Sequence, residues 1–323
     1  MKKEITVKEN DSGQRLDRFL MKMFPSLKAG NINKAIRNKD IKLNGKRTEA
    51  AYRLESGDKI YLFLPDHLIF VQEKNADDFM SAGDNLSIVY EDENILLADK
   101  EQGLVVHADD DNTVDTLINR IKKYLYNKWE YRPQNEHVFA PALCNRIDRN
   151  TSGIVIAAKN AETLRILNEK IKNREIEKKY LCIVLGKMPR YEDILTAYLE
   201  KDSSENSVTV SNTKTKSNLT IKTKYTVVES NNELSLLKID LLTGRTHQIR
   251  AHMAYIGHPL LGDGKYGNNR VNTKYGFKMQ ALCSCKLTFR FTSDGGILNY
   301  LNNKSFEVKE IPFMKFWEKQ RLL

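Results

Sequence analysis

A single acidic residue between two arginines marks the stretch with the clearest capacity for chemistry. Residues 145–153 read NRIDRNTSG, and an apolar, β-branched run follows at 154–158. The pattern predicts a polar loop that feeds a buried strand. A positive charge beside a carboxylate favours the ionised form, so Asp148, between Arg146 and Arg149, could act as a nucleophile. Spacing alone still favours a surface Asp that pairs with a neighbouring Arg, since structural ion pairs are common.

A second polar stretch, residues 241–267, reads LLTGRTHQIRAHMAYIGHPLLGDGKYG. It predicts a helix from about Thr246 to Ile256, which a glycine and then a proline end. On such a helix His247 and His252 are five residues apart, about 140° around the axis, so they are poorly placed to share an ion. No metal site is therefore predicted.

Both stretches resemble the signature motifs of the RluA family of pseudouridine synthases, in particular the RluC and RluD type. The family loop reads His-Arg-Leu-Asp, two variable residues and Thr-Ser-Gly; here Asn145 replaces the His and Ile147 the Leu. The KEQGLVVH stretch at 100–107 resembles the family's first motif, with Glu101 in place of a Pro. The downstream family motif is matched at Thr243, Gly244, Arg245, His247, Gln248, Arg250, His252, Gly257, His258, Pro259, Gly262 and Asp263.

The resemblance implies roles for several of these residues. Asp148 takes the position of the catalytic aspartate, Arg250 that of the arginine paired with it, and Tyr180 that of a tyrosine lying against the target uracil. A tyrosine on a strand more often lies in the core. The two roles are compatible, because an aromatic ring in the wall of a pocket can pack on the core and also contact the uracil. The resemblance also implies that the target uridine flips out of its stack in the RNA, and that Arg146 occupies the space it leaves. The substrate-binding residues implied in the large domain are therefore Arg146, Arg245 and His247.

Composition excludes several other classes of protein. The 323 residues include four cysteines, too few for a disulfide framework in a chain of this length. No apolar run approaches the roughly 18 residues that a membrane span needs, and the first residues lack the apolar core of a signal peptide. We therefore expect a cytoplasmic protein without a membrane partner, and a monomer.

The net charge of +10 is unevenly distributed. Residues 1–65 hold 10 Lys and 5 Arg against 4 Asp and 4 Glu, a net charge of +7, whereas residues 66–100 carry −7. A basic chain end favours a polyanionic partner such as nucleic acid. The acidic residues 66–86, which contain a Ser-Ala-Gly-Asp-Asn run, predict a linker.

Residues 1–65 predict a small separate domain. An amphipathic helix over 14–24, a second helix over 31–39 and a hairpin turning at Asn44-Gly45 follow in order. This order, with RLDRFL and LNGK, resembles the alpha-L RNA-binding module, whose basic second helix contacts phosphates. Lys34 and Arg37 are thus the implied RNA-binding residues, although most such basic runs are only solvated faces.

The resemblance as a whole implies an α+β protein. Its catalytic domain, 87–323, should hold a mixed, largely antiparallel sheet with flanking helices, and the N-terminal domain should be a small α/β RNA-binding unit. The implied activity is isomerisation of uridine to pseudouridine in RNA, most of all in large-subunit (23S) ribosomal RNA, without a cofactor. Two alternatives stay open: a non-catalytic RNA chaperone, and an aspartate-nucleophile hydrolase, for which a second carboxylate and metal ligands are missing.

Overall fold

The computed structural model describes residues 2–70, 77–108, 113–202 and 205–321. We call residues 2–70 the small unit and the remaining described residues the large unit. The small unit contains β1 Lys2–Thr6, α1 Leu16–Met23, α2 Ala29–Arg37, β2 Ile41–Leu43 and β3 Lys59–Phe63. Its strands form an antiparallel sheet in the order β1-β3-β2.

The small unit has its own apolar core, as the helical pattern predicts. Leu16, Phe19 and Leu20 of α1 are fully buried and pack with Ile32 of α2. The predicted turn at Asn44-Gly45 is present, because both residues adopt positive φ values (50° and 76°). Such φ values are typical of the tight turns that join antiparallel strands.

The large unit is built on a second, much larger sheet. Its strands are β4 Ser87–Glu91, β5 Ile95–Lys100, β6 Ala142–Leu143, β7 Ser152–Ala158, β8 Ile176–Leu185, β9 Glu192–Asp202, β10 Ser207–Ser211, β11 Leu219–Ser230, β12 Leu234–Leu241, β13 Leu282–Phe289 and β14 Ser305–Glu307. Its helices are α3 Asp77–Met80, α4 Leu117–Asn127, α5 Ala161–Lys172, α6 Gln248–Tyr255, α7 Asn269–Lys274 and α8 Met314–Arg321. The main strand order is β10-β9-β11-β12-β8-β13-β7-β5-β4, with β14 on β13 and β6 on β7.

One short parallel contact joins two antiparallel halves of this sheet. β7 and β13 pair in parallel at Ser152↔Cys283 and Gly153↔Ser284, whereas the other described strand pairs are antiparallel. We call this contact the seam. Gly153 has φ +109°, and a Cβ built on it would lie 2.3 Å from the carbonyl oxygen of Ser284. A side chain at residue 153 is therefore incompatible with the seam.

Helices cover both faces of the sheet. Because side chains alternate along a strand, β7 sends Val155 and Ala157 to the face that α4 and α6 cover, and Ile154 and Ile156 to the opposite face, with α5. β7 is buried along its whole length, as its apolar run predicts. The predicted α+β fold with a mixed, largely antiparallel sheet and flanking helices is confirmed.

The predicted linker, 66–86, lies partly outside the described residues, which omit 71–76. In the described part, Phe79 and Ala82 are buried, and Nζ of Lys123 donates to the carbonyl oxygen of Ala82 at 2.7 Å. This end of the segment packs on the large unit. The domain limits themselves stay a prediction.

The small unit also contacts the large unit directly. His137 lies with Nδ1 2.6 Å from Oδ2 of the buried Asp11, and Asn10 donates to Oε1 of Glu136 at 2.9 Å. A third bond runs from Arg165 to the carbonyl oxygen of Ser12 (2.7 Å). The loop after β1 is thus bonded to α5 and to the segment before β6.

Candidate active site

The loop between β6 and β7 carries Asp148. Oδ1 of Asn145 accepts a hydrogen bond from the backbone N–H of Ile156 (2.8 Å), which fixes the start of the loop to β7. The N–H of Thr151 donates to the carbonyl oxygen of Asp148 (3.0 Å) and closes a turn. Backbone bonds of this kind hold the Asp148 carboxylate at a defined position just before the seam.

Arg250 joins Asp148 to a second, deeply buried carboxylate. Its Nε and Nη2 donate to Oδ2 (2.7 Å) and Oδ1 (3.0 Å) of Asp263, and its Nη1 donates to Oδ2 of Asp148 (2.9 Å). The Asp263 side chain has no exposed surface, whereas that of Asp148 is 26% exposed. The bidentate bond fixes the plane of the guanidinium, so its remaining edge points at the accessible acid.

Asp263 is kept charged despite its burial. Burial alone would raise the pKa of Asp263, but the hydrogen bonds and the charge of Arg250 outweigh it and hold the pKa below its ordinary value. The backbone N–H groups of Lys265 (2.9 Å) and Tyr266 (3.0 Å) also donate to its Oδ1. Burial opposes the charge of Arg250 too, yet the two acids raise the pKa of its guanidinium. The three side chains therefore form one charged network.

The start of α6 sets the direction of Arg250. The helix begins at Gln248, two residues later than the sequence predicts, because His247 adopts a left-handed conformation (φ 52°). Oε1 of Gln248 accepts from the hydroxyl of Thr243 (2.8 Å) and the N–H of Arg245 (3.1 Å). The turn before the helix is thus closed on itself, and Arg250 lies in the first turn of α6, which is buried from Gln248 to Met253.

Tyr266 connects His247, a predicted substrate-binding residue, to this network. Its hydroxyl lies 2.8 Å from Nδ1 of His247 and accepts a bond from the N–H of Val208 (2.9 Å). Its ring centroid lies 5.2 Å from the guanidinium carbon of Arg250. Burial lowers the pKa of His247, while the charge of Asp148 opposes that shift. His247 is therefore close enough to Asp148 to respond to its charge.

Tyr180 lies on β8, between β12 and β13, and belongs to the apolar core. Burial raises its pKa to about 12, and the charge of Asp148 adds to the shift. The phenol is therefore un-ionised at neutral pH. Tyr180 is therefore a core side chain within range of the Asp148 charge, and its contact with the target uracil stays a prediction.

Lys100 is a buried amine that lies against the same loop. Its Nζ donates to the carbonyl oxygens of Glu101 (2.8 Å), Leu104 (2.8 Å) and Arg149 (2.7 Å). Burial lowers its pKa to about 7, although the charge of Asp148 opposes the shift. Lys100 thus ties the first motif to the residue directly after Asp148.

The remaining predicted site residues lie on the surface. Arg146 and Arg245 are exposed in the large unit, and Lys34 and Arg37 are exposed on α2 of the small unit. A recess of about 510 Å³ in the small unit is lined in part by Lys46 and Arg47. The structure therefore brings Asp148, Tyr180, Arg250 and His247 together. The other four predicted residues are exposed, two of them in the large unit and two on α2 of the small unit.

Three residues that contribute to this site were given no role by the sequence: Lys100, Asp263 and Tyr266. The one sequence signal for Asp263 was its place in a Gly-Asp-Gly turn directly after an apolar run; an Asp that is fully buried there needs a partner. His252, by contrast, lies inside the large unit 3.0 Å from the hydroxyl of Thr223, and burial lowers its pKa to about 4.

Two other kinds of site are missing from the described residues. These residues contain no group of three or more His, Cys, Asp or Glu placed to hold a metal ion. Within the same ranges, every helix is too short or too polar to cross a bilayer.

Known proteins resemble the chain over most of its length. Residues 94–255 match the family model described as RNA pseudouridylate synthase. An uncharacterized RNA pseudouridine synthase of Mycoplasma genitalium is 35% identical, over 96% of this chain and 97% of its own. Ribosomal large subunit pseudouridine synthase D of Borreliella burgdorferi is 31% identical, over 83% and 79% of the two chains.

Solved structures resemble the fold. The human protein titled RNA Pseudouridylate Synthase Domain Containing 4 superposes with a TM-score of 0.56 at 18% identity, covering 76% of this chain and 95% of that one. Human RNA Pseudouridylate Synthase Domain Containing 1 gives a TM-score of 0.52 at 20% identity, covering 78% and 98%. At these identities the likeness concerns the fold alone.

Proposed function

Because the chain belongs to the RNA pseudouridylate synthase family, we propose that it converts specific uridines of large-subunit (23S) ribosomal RNA to pseudouridine. The observation that carries the proposal is the ion pair between Arg250 and the partly exposed Asp148. A catalytic carboxylate must be ionised and reachable at once, and a cation anchored by a second, buried acid meets both needs. The relative named large subunit synthase D supports the choice of RNA.

In this reaction the bond between uracil N1 and ribose C1′ breaks, the base rotates, and C5 bonds to C1′. The proton on C5 is lost and N1 gains one, so atoms and electrons balance without a redox partner. We assign Asp148 the attack on ribose C1′: the bond from its carboxylate to C1′ forms as the N1–C1′ bond breaks, and it breaks in turn when C5 bonds to C1′, which frees the carboxylate. No metal or nucleotide is required for this isomerisation.

The target uridine must leave its stack to reach the carboxylate, which costs a few kcal/mol. We assign Tyr180 to the wall against which the uracil lies and Arg146 to the space that the base vacates. Arg245 and His247 contact the RNA around the target. These contacts offset the cost of flipping.

Binding of the rest of the RNA is assigned in part to the small unit. Lys34 and Arg37 are exposed on α2, near the chain end whose net charge is +7. Exposed cations displace condensed counterions from phosphates and so give salt-dependent affinity. Action as a monomer in the cytoplasm, where ribosomal RNA is processed, completes the proposal.

Tritium release tests the reaction directly. Purified protein and large-subunit RNA labelled with tritium at uracil C5 should release the label, with EDTA present or absent. Asp148→Asn is the matched control, since it keeps the side-chain volume and removes the charge. A protein that binds the RNA and releases no tritium would instead be the non-catalytic chaperone. Sequencing RNA from a deletion strain with a pseudouridine-specific probe would then identify the modified position.

A further inference from the structure

The C-terminal end of α4 carries an exposed aromatic side chain that the fold does not explain. Trp129 is 79% exposed. It is also the residue after the helix cap, with φ 64°, and its N–H donates to the carbonyl oxygen of Tyr126 (3.0 Å) while that of Glu130 donates to Leu125 (2.9 Å). Glycine is the usual residue in this helix-ending motif. Neither burial nor backbone preference therefore accounts for a tryptophan.

A guanidinium group holds the tryptophan ring in place. The guanidinium carbon of Arg132 lies 3.6 Å from the Trp129 ring centroid and 3.9 Å from that of Tyr126, so the cation is layered between two rings. Tyr126 in turn packs edge-on against Phe79 (5.8 Å). The inner face of Trp129 is thus backed by a stack that reaches the core, and its outer face is open.

Positive charge continues from this stack towards the signature loop. Lys122 lies one turn before Tyr126 on the same face of α4. After burial, the charges of Arg146 and Lys122 are the causes that lower the pKa of His107. The start of α4 is also bonded to the residue before His107, since the N–H of Ile118 donates to the carbonyl oxygen of Val106 (3.2 Å), and Arg146 is two residues from Asp148.

Nearby acids do not reverse this charge. Glu130, next to Trp129, forms ion pairs with Lys128 (2.7 Å) and with Lys159. Glu91 is also paired with Lys128, at 2.8 Å, and with Lys159, at 3.0 Å. The open face of the Trp129 ring is therefore bordered by basic side chains and by acids whose charges are already paired.

We propose that this α4 strip, Lys122, Tyr126, Trp129 and Arg132, binds the RNA strand that flanks the target uridine, with one unpaired base stacked on Trp129. The inference rests on the proposed function and adds a contact region to it. A planar ring backed by a guanidinium suits any base, since every base offers a π-face. Lys122 contacts a phosphate of the strand between Trp129 and the signature loop.

Trp129→Gly separates binding from folding. Glycine suits the backbone at this position, so the variant should melt at or above the wild-type temperature. Its affinity for a fluorescein-labelled oligouridylate of about twelve nucleotides should fall about tenfold, the loss of one stacked base. Tyr191→Ala, which removes another exposed aromatic side chain (72% exposed), is the matched control and should leave affinity unchanged.

Intrinsic fluorescence gives a second readout. The chain has two tryptophans, and Trp317 is buried (2% exposed). The oligouridylate should quench the emission of Trp129 in the wild type. In Trp129→Gly, where only Trp317 emits, it should cause no quenching. Lys122→Gln should reduce the slope of log affinity against log salt by about 1, and leave the quenching in place.

The outcomes distinguish this inference from the proposed function. If Trp129→Gly binds the oligouridylate like the wild type while the wild type releases tritium, the strip is wrong and the function stands. If quenching and the tenfold loss occur without tritium release, the strip stands and the proposed function fails. If Trp129→Gly changes the mass of the RNA-free protein in sedimentation but not its RNA affinity, the tryptophan is a protein contact and the inference is overturned.

Discussion

Basic side chains are placed differently in the two units. None of the described Lys and Arg side chains in residues 3–63 is buried. In the large unit, by contrast, Lys100, Lys170 and Arg250 are all buried and bonded to carboxylates or carbonyl oxygens. Exposed cations attract phosphates over a distance and are screened by salt. Buried basic side chains instead fix single groups in space, so the small unit presents its positive charge at the surface, whereas the large unit also uses basic side chains to hold its own loops and acids.

The largest effect should come from removing the charge of the accessible acid. Asp148→Asn should reduce the rate of tritium release by about 10⁴-fold or more, as is usual when a nucleophile is lost. Affinity for RNA should stay within twofold of the wild type, since Asp148 contributes no positive charge to binding. Residual turnover near the wild-type rate would exclude Asp148 as the nucleophile.

Breaking the charged network from the cation side should affect rate and stability together. Arg250→Met leaves the fully buried Asp263 without its partner, which should reduce the free energy of unfolding by about 3 to 5 kcal/mol. Misplacement of Asp148 should reduce the rate by about 10²-fold or more. Arg245→Met is the matched control, because that arginine is exposed. If the two variants unfold alike in urea, the network does not stabilise the large unit.

The pH dependence of stability should reverse in the same variant. In the wild type the pKa of Asp263 is lowered, so its contribution is present above the ordinary carboxyl pKa and is lost as the pH falls through the lowered value. Without Arg250, burial raises this pKa, and Arg250→Met should lose stability as the pH rises from about 4 to 7. Urea denaturation across that range measures the sign, and Arg250→Met/Asp263→Asn should remove the trend.

A side chain in the seam should be nearly as damaging. Gly153→Ala forces a methyl group against the Ser284 carbonyl oxygen and should cost about 1 to 3 kcal/mol of unfolding free energy. Gly45→Ala is the control, since Gly45 also has positive φ but open space around its Cβ position. Equal losses in the two variants would show that φ, not the seam, sets the requirement for glycine.

Lys100 should give the free energy of unfolding a second dependence on pH. Its pKa is about 7 in the folded chain against an ordinary value of 10.5. Between these values the unfolded chain binds a proton that the folded chain does not, so stability rises with pH over this window. In urea titrations the wild type should gain stability relative to Lys100→Met from pH 7 to 10. A constant difference between the two proteins would contradict a lowered pKa.

The smallest effect on chemistry should come from the small unit. Lys34→Gln/Arg37→Gln should reduce the slope of log affinity against log salt by about 2 and leave the rate at saturating RNA unchanged. Lys309→Gln/Lys315→Gln removes the same charge from exposed sites of the large unit and serves as the control. If both pairs change the slope equally, binding follows net charge and not α2.

Local patterns predicted much of the fold. The helical stripe of α1 and the apolar run of β7 were both predicted from neighbouring residues. The strands β9 and β11 were not predicted. Their exposed positions carry polar and apolar side chains alike, so alternation along β9 is weak, and only pairing in the sheet defines it.

The candidate site was predictable where it resembled motifs and not where it depended on tertiary packing. Motif resemblance identified Asp148 and Arg250, which are 102 residues apart and lie in contact; their catalytic roles stay predictions. Spacing alone, by contrast, treated Asp148 as a single acid held by its sequence neighbours Arg146 and Arg149. The second carboxylate, Asp263, anchors Arg250, and that contact exists only because the turn after α6 folds back beneath it.

The seam also has a consequence for the order in which the protein is made. β4, β5, β7 and α5 all lie within residues 87–172, and the antiparallel strands among them can pair as soon as they emerge during synthesis. A chain synthesised only to residue 240 contains Asp148 and the strands that hold it, but neither Arg250 nor Asp263. Pairing of β13 with β7 is non-local and therefore late. The nascent protein thus carries its acid without the guanidinium that orients it, and the site is assembled only as synthesis nears its end.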